Sequence, residues 1–135
     1  MPRLQFERSS FLENIEVELV IDQPAAAGPQ EARDAGRKPE RVRFDVELSW
    51  RSPGTVETGE GTDGVVSNAH VYDFIRSLAG TVQRAPLESI LDKVCEIALA
   101  DPRVDEVKAR LSRLDVAAPG RIGIAVRKQT LRNRF

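Results

Sequence analysis

The chain contains a single cysteine, Cys95, and a single histidine, His70, among 135 residues. Neither a disulfide framework nor a zinc site of nitrogen and sulfur ligands can be assembled from that supply. Aromatic residues are few, five Phe with one Tyr and one Trp, so any core is lean for one domain. No apolar run approaches the ~20 residues that cross a bilayer, and the segment Met1 to Arg8 lacks the apolar centre of a signal peptide. These absences lead to the expectation of a cytoplasmic protein. Charge of one sign is missing too: 20 Lys and Arg stand against 21 Asp and Glu, which leaves no global field to gather nucleic acid or an anionic membrane. The local group Arg127, Lys128, Arg132 and Arg134 reads as a solvated end of the chain, with 129–135 as a flexible tail. No phosphate-binding glycine loop, nucleophile elbow or metal motif is present, and no metal or organic cofactor is expected.

What is there is alternation and helical periodicity within one domain. From Phe11 to Ile21 the residues Ile15, Val17, Leu19 and Ile21 fall on one side of a strand, and Asn14, Glu16, Glu18 and Val20 on the other. Residues 23–40, with three prolines and two glycines, read as a mobile or functional loop. Val42, Phe44, Val46, Leu48 and Trp50 alternate with charged and polar neighbours, so Arg41 to Trp50 pairs antiparallel with the first strand. The glycine-rich stretch from Ser52 to Gly64 is a second loop. Ser67 or Asn68 then caps a helix whose apolar face is Val71, Ile75, Leu78 and Val82.

Pro86 opens a stronger helix with Leu87, Ile90, Leu91, Val94, Ile97 and Ala98 on one face, stopped by Asp101 and Pro102. Cys95 lies on this apolar stripe, where a thiol behaves as a small buried hydrophobe. Val104 to Val116 is a strand with Val107, Ala109, Leu111 and Arg113 in one set. Ile122, Ile124 and Val126 complete a second hairpin. The order is ββααββ, an α+β plan with two helices on one face of an antiparallel sheet.

Three segments carry a family likeness: the run from Asp63 to Ile75 (DGVVSNAHVYDFI), the helix opened by Leu87 and Glu88, and Leu111 to Asp115 (LSRLD) before the closing strand. Together they resemble the dihydroneopterin aldolase and dihydroneopterin triphosphate epimerase family. The resemblance implies the tunnelling fold, in which subunits join their sheets into a barrel-like ring and pterins or purines bind between subunits. A homo-oligomer, a tetramer or an octamer, is thus expected, with a reduced pterin as partner and no nucleic acid or membrane. Ring closure by strand pairing would also remove exposed sheet edges.

The same likeness assigns the site. Glu88 matches the glutamate that accepts the amino group and ring N–H of the pterin, with Leu87 beside it; an acid on a first helical turn is also favourable merely because it complements the helix dipole. Val71 stands where the family places a tyrosine, and the only tyrosine, Tyr72, is one residue or ~100° further round the helix. Arg113 replaces the family's catalytic lysine. Retro-aldol cleavage needs a base for the side-chain hydroxyl and an acid for the methylene carbon, and an arginine exchanges no protons near neutrality. Arg113 is therefore an electrostatic or phosphate-binding group, or a strand salt bridge. His70 is a general acid or base, or a capping or surface residue. The family's loop glutamate is matched by Glu31 or Glu40 without a choice between them. The implied function is dihydroneopterin aldolase-like cleavage or epimerisation of a reduced pterin in folate or related cofactor synthesis. The alternative is a pterin- or purine-binding or assembly protein that kept the fold and lost the acid–base pair.

Overall fold

The computed structural model describes residues 5–22, 39–53, 66–115 and 122–130. Strand β1 (Gln5–Ile21) pairs antiparallel with β2 (Pro39–Pro53), which pairs antiparallel with β4 (Glu106–Arg113), and β4 with β5 (Ile122–Gln129). Helices α1 (Ala69–Ser77) and α2 (Leu87–Leu99) are separated by a two-residue strand, β3 (Val82–Gln83), parallel to the end of β1. The sheet order is β3-β1-β2-β4-β5. The expected ββααββ order holds with one addition, β3, which makes the sheet mixed rather than wholly antiparallel.

The core follows from the strand alternation. Val17, Leu19 and Ile21 of β1, Val42 to Trp50 at even positions of β2, and Val107, Ala109 and Leu111 of β4 are buried. Helix α2 covers β4 and β5 through Ile90, Leu91, Val94, Cys95 and Ala98, while α1 adds Val71 and Ile75. Burial pushes the Cys95 thiol pKa up, as expected of a thiol removed from water. Lys128 of β5 reaches Asp92 of α2 at 3.1 Å, and Arg127 holds Glu106 at 3.0 Å. Thus two of the four C-terminal cations belong to the packed domain; Gln129 ends β5, and 131–135 lie outside the described residues.

Several boundaries depart from the sequence reading. Helix α1 ends at Ser77, because Gly80 takes φ +76° and turns the chain, a conformation that only glycine adopts without cost. Val82 therefore leaves the helix face and stands 51% exposed in β3. Pro39 and Glu40, read as the end of a loop, open β2, and 23–38 lie outside the described residues. At the start of α1, Asn68 occupies the cap position without a side-chain cap bond, and it is Ser67 Oγ that accepts the Ala69 N–H at 3.1 Å.

Strand β1 starts well before Phe11, and its register shifts between Leu12 and Ile15, so that Glu13 and Asn14 face the single residue Asp45. Asn14 is left-handed, φ 61°, and its N–H donates to Asp45 Oδ1 at 3.0 Å. This is a β-bulge, and the extra residue reverses which side chains point inwards. Ahead of it the inward residues are Ser10 and Leu12, and Phe11 is 59% exposed on the face away from the helices.

Candidate functional site

The strand directions collect five chain ends at one end of the sheet. There β1 ends at Ile21, β2 begins at Pro39, β3 ends at Gln83, β4 ends at Arg113 and β5 begins at Ile122. Only Arg84, Ala85 and Pro86 separate β3 from α2, so the first turn of α2 is set at this same end. Pro86 suits the entry: its φ is −54°, and its carbonyl accepts the Ser89 N–H at 2.8 Å. The turn that follows exposes Glu88 and half-buries Leu87 against the core.

Arg113 is held at this end by Glu40. The guanidinium donates from Nε to Oε1 at 2.5 Å and from Nη2 to Oε2 at 2.9 Å, a bidentate geometry of the strong, charge-assisted kind. Glu40 and Arg113 each continue the inward row of their strand past its last apolar residue, Val42 and Leu111 respectively, and the β2–β4 register makes them diagonal neighbours, a spacing long side chains bridge. The hydrogen bond that Arg113 donates to Glu40 is the chief cause that raises the Arg113 pKa, against partial desolvation.

Beside this pair Arg41 and Asp115 extend the ladder. Asp115 Oδ2 accepts the Arg41 N–H at 2.8 Å, Oδ1 accepts Nε and Nη2 at 3.1 and 3.0 Å, and the Leu114 N–H donates to the Arg41 carbonyl at 3.0 Å. The Arg41 N–H, then its guanidinium, hold the Asp115 carboxyl below its ordinary range. Of the two glutamates left open by the sequence, Glu40 is thus positioned, and Glu31 lies outside the described residues.

The remaining candidates lie at the opposite end. An open cavity of about 810 Å³ is lined by Leu48, His70, Val71, Ile97, Asp101 and Arg103, among others. Leu48 pairs with Val107, whereas Val42 pairs with Arg113; six residues of strand put these ends ~20 Å apart. Val71 is 2% exposed and packs in the core, His70 is exposed at the cavity, and Tyr72 is 41% exposed. Within one chain the structure brings Leu87, Glu88 and Arg113 to one end and leaves His70, Val71 and Tyr72 on the helix at the other.

Two polar atoms missed by the sequence reading lie toward this second end: Trp50 Nε1 and Asn68 Oδ1 are buried with no hydrogen-bond partner among the described residues. Buried groups of this kind are rare in native proteins and ask for a partner. The signal available was weak, an asparagine beside a serine that caps equally well. Among the described residues no three His, Cys, Asp or Glu side chains cluster as a metal ion would require, and no helix is long and apolar enough to cross a membrane.

No family model and no curated protein matches the sequence. Solved structures do match. The chain is similar to dihydroneopterin aldolase of Escherichia coli in complex with neopterin, at 19% identity and TM-score 0.64, over 90% of this chain and 98% of that one. It is also similar to dihydroneopterin aldolase of Burkholderia thailandensis bound to guanine, at 19% identity and TM-score 0.65, over 92% of each chain. Urate oxidase of Bacillus sp. TB-90 matches at 12% identity and TM-score 0.57, over 90% of this chain but 46% of that one. The chain has the tunnelling fold, an α+β fold that these proteins share.

Proposed function

We propose that this chain is a homo-oligomeric, dihydroneopterin aldolase-like protein that binds a reduced pterin between neighbouring copies, with Glu88 as the anchor of the heterocycle. The observation that carries the reading is the division of the candidate residues between opposite ends of one sheet. A site that uses both sets needs the Glu88 end of one copy against the His70 end of the next. Solved structures of the same fold hold neopterin and guanine, heterocycles with an amino group beside a ring N–H, the edge that a carboxylate accepts through both oxygens.

The sheet edges favour such an assembly. Apart from the stretch Glu18 to Asp22, which meets Gly80 and β3, the outer edge of β1 has no strand partner among the described residues, and neither has that of β5. Glu13, Glu16 and Glu18 make β1 acidic, while Arg127 and Lys128 make β5 basic. Head-to-tail pairing of these edges closes a ring, a tetramer or two stacked tetramers, and leaves no edge bare.

Catalysis is the weaker part of the likeness. Aldol cleavage moves a proton from a side-chain hydroxyl and returns one to the methylene carbon, with the pterin ring as electron sink. Arg113 stays protonated and is occupied by Glu40, so it positions and does not transfer. His70 of the neighbouring copy, the one imidazole of the chain, is the remaining candidate for the proton transfer. The Arg113–Glu40 pair thus favours a second reading, a pterin-binding or assembly protein with little turnover.

The test is subunit complementation. Calorimetric titration with neopterin should show binding to the native oligomer and none to Glu88→Ala or to His70→Trp, which fills the far cavity. Mixed in equal amounts and reassembled, the two variants should recover about a quarter of the sites, since each site draws one end from each of two copies. Full binding by either variant alone, or a folded monomer that binds, would overturn the proposal.

A further inference from the structure

Each described cation at the Glu88 end has a carboxylate partner. Arg113 is taken by Glu40 through two hydrogen bonds, Arg41 by Asp115 at 3.0 Å, and Arg84 faces Asp22 at 3.7 Å. Among the described residues at this end the charges left over are carboxylates, Glu88 and Glu18, neither of which carries an ion pair. Among the described residues, a ligand anchored on Glu88 therefore meets no cation that lacks a carboxylate partner.

Resting on the pterin-binding reading, we propose that Glu40 is a specificity-determining residue: by occupying Arg113 it makes the site accept a heterocycle with an uncharged side chain and refuse the same heterocycle carrying a phosphate ester. The geometry supports this division of labour. Glu40 takes Nε and one Nη2 hydrogen, so the side-on fork is filled and the charge of the remaining Nη1/Nη2 edge is neutralised, and guanidinium forks are the usual means of holding phosphate. The Glu40 side chain is 15% exposed against 39% for Arg113, so the carboxylate is the inner, fixed partner and the guanidinium faces the opening. Removing the charge of Glu40 would return a net positive charge to the end of the sheet where Glu88 stands. Glu40 does this without touching the ligand; it is a positioning residue.

The experiment compares neopterin with its phosphate monoester by calorimetric titration of the full oligomer. The native protein should prefer neopterin by about tenfold or more, and added salt should narrow the gap by screening the repulsion. Glu40→Gln keeps the shape and one acceptor, and should tighten the phosphate ester by about tenfold or more while leaving neopterin within about threefold. The exchanged pair, Glu40→Arg with Arg113→Glu, keeps the strand tie and should discriminate like the native protein; its thermal melt confirms that the staple, not a global loss of fold, is being read. Equal native affinity for the two ligands, or an unchanged ratio in Glu40→Gln, overturns the inference. Glu88-dependent neopterin binding with an unchanged ratio removes the role of Glu40 alone, whereas no binding of either ligand removes the pterin reading with it.

Discussion

Replacing Glu88 by alanine separates two roles that a first-turn glutamate can have. As a helix-dipole partner on an exposed first turn, its carboxylate is worth ~0.3–1 kcal/mol, and the better helix propensity of alanine returns part of that. The fold should then lose under ~1 kcal/mol, a shift of a few degrees at most in the melting temperature of a domain this size. As a ligand anchor it would accept two hydrogen bonds, each worth ~1.5–3 kcal/mol when one partner is charged. Glu88 is solvated in the free chain, so part of this is spent on desolvation, leaving ~2–4 kcal/mol, or about 30-fold to about 900-fold in dissociation constant. Calorimetric titration with neopterin beside a thermal melt reads both numbers on one sample. A large loss of affinity with a nearly unchanged melt supports the anchor. Unchanged affinity would refute the reasoning, and a collapse in both would show that Glu88 serves the fold in a way its exposure does not suggest.

Glycolaldehyde release from dihydroneopterin should be slow, by ~10²-fold or more relative to a site with a titrating lysine, and brisk release in a direct assay would show that His70 or Tyr72 carries the proton transfer. Gly123→Ala should destabilise by ~1–3 kcal/mol, because the new Cβ would lie 2.3 Å from the Leu111 carbonyl oxygen and 3.0 Å from Ser112 Cα; an unchanged urea midpoint would mean that β5 stands off β4. Stability should fall on acidification below about pH 4: the Arg103 side chain lowers Asp101, Arg127 lowers Glu106 and the Arg41 N–H lowers Asp115, so their contribution is complete above the ordinary carboxylate pKa and is lost as pH drops through the lowered folded values. Urea midpoints between about pH 7 and about pH 3 check the sign, and a midpoint that rises on acidification contradicts it.

The strands were legible because burial imposes a period of two: Val42 to Trp50 and Val107 to Leu111 point inwards as their spacing says. Helix α2 was legible for the same reason at its own period. The bulge was not, since the hydrophobic residues Phe11 and Leu12 occupy both phases and nothing in their chemistry says which is turned out. Nor was β3, whose two residues are too short for any alternation and exist because Gly80 returns the chain to the β1 edge, where the Gly80 N–H donates to the Glu18 carbonyl at 2.8 Å. At the candidate site, Glu88 could be placed from its helix start. The partner of Arg113 could not, because Glu40 lies 73 residues away in sequence and becomes its neighbour only through the β2–β4 register. The partition of the candidates between two ends of the sheet is likewise a property of strand direction, which a list of residues does not carry.

The bulge at Asn14 makes β1 two half-strands spliced with a change of parity. An open edge of uniform phase would be a template for any extended peptide, its own copies included. Here a strand laid along the full length of β1 must carry a matching slip at the same height or lose its hydrogen bonds on one side of it. The edge is thus keyed rather than merely unpaired, and in the proposed ring the key would admit β5, eight residues long, on one side of the splice without rewarding a longer partner. Deleting Asn14 would regularise the strand, leave Leu12 and Ile15 inward in one unbroken alternation, and convert a selective edge into an indiscriminate one.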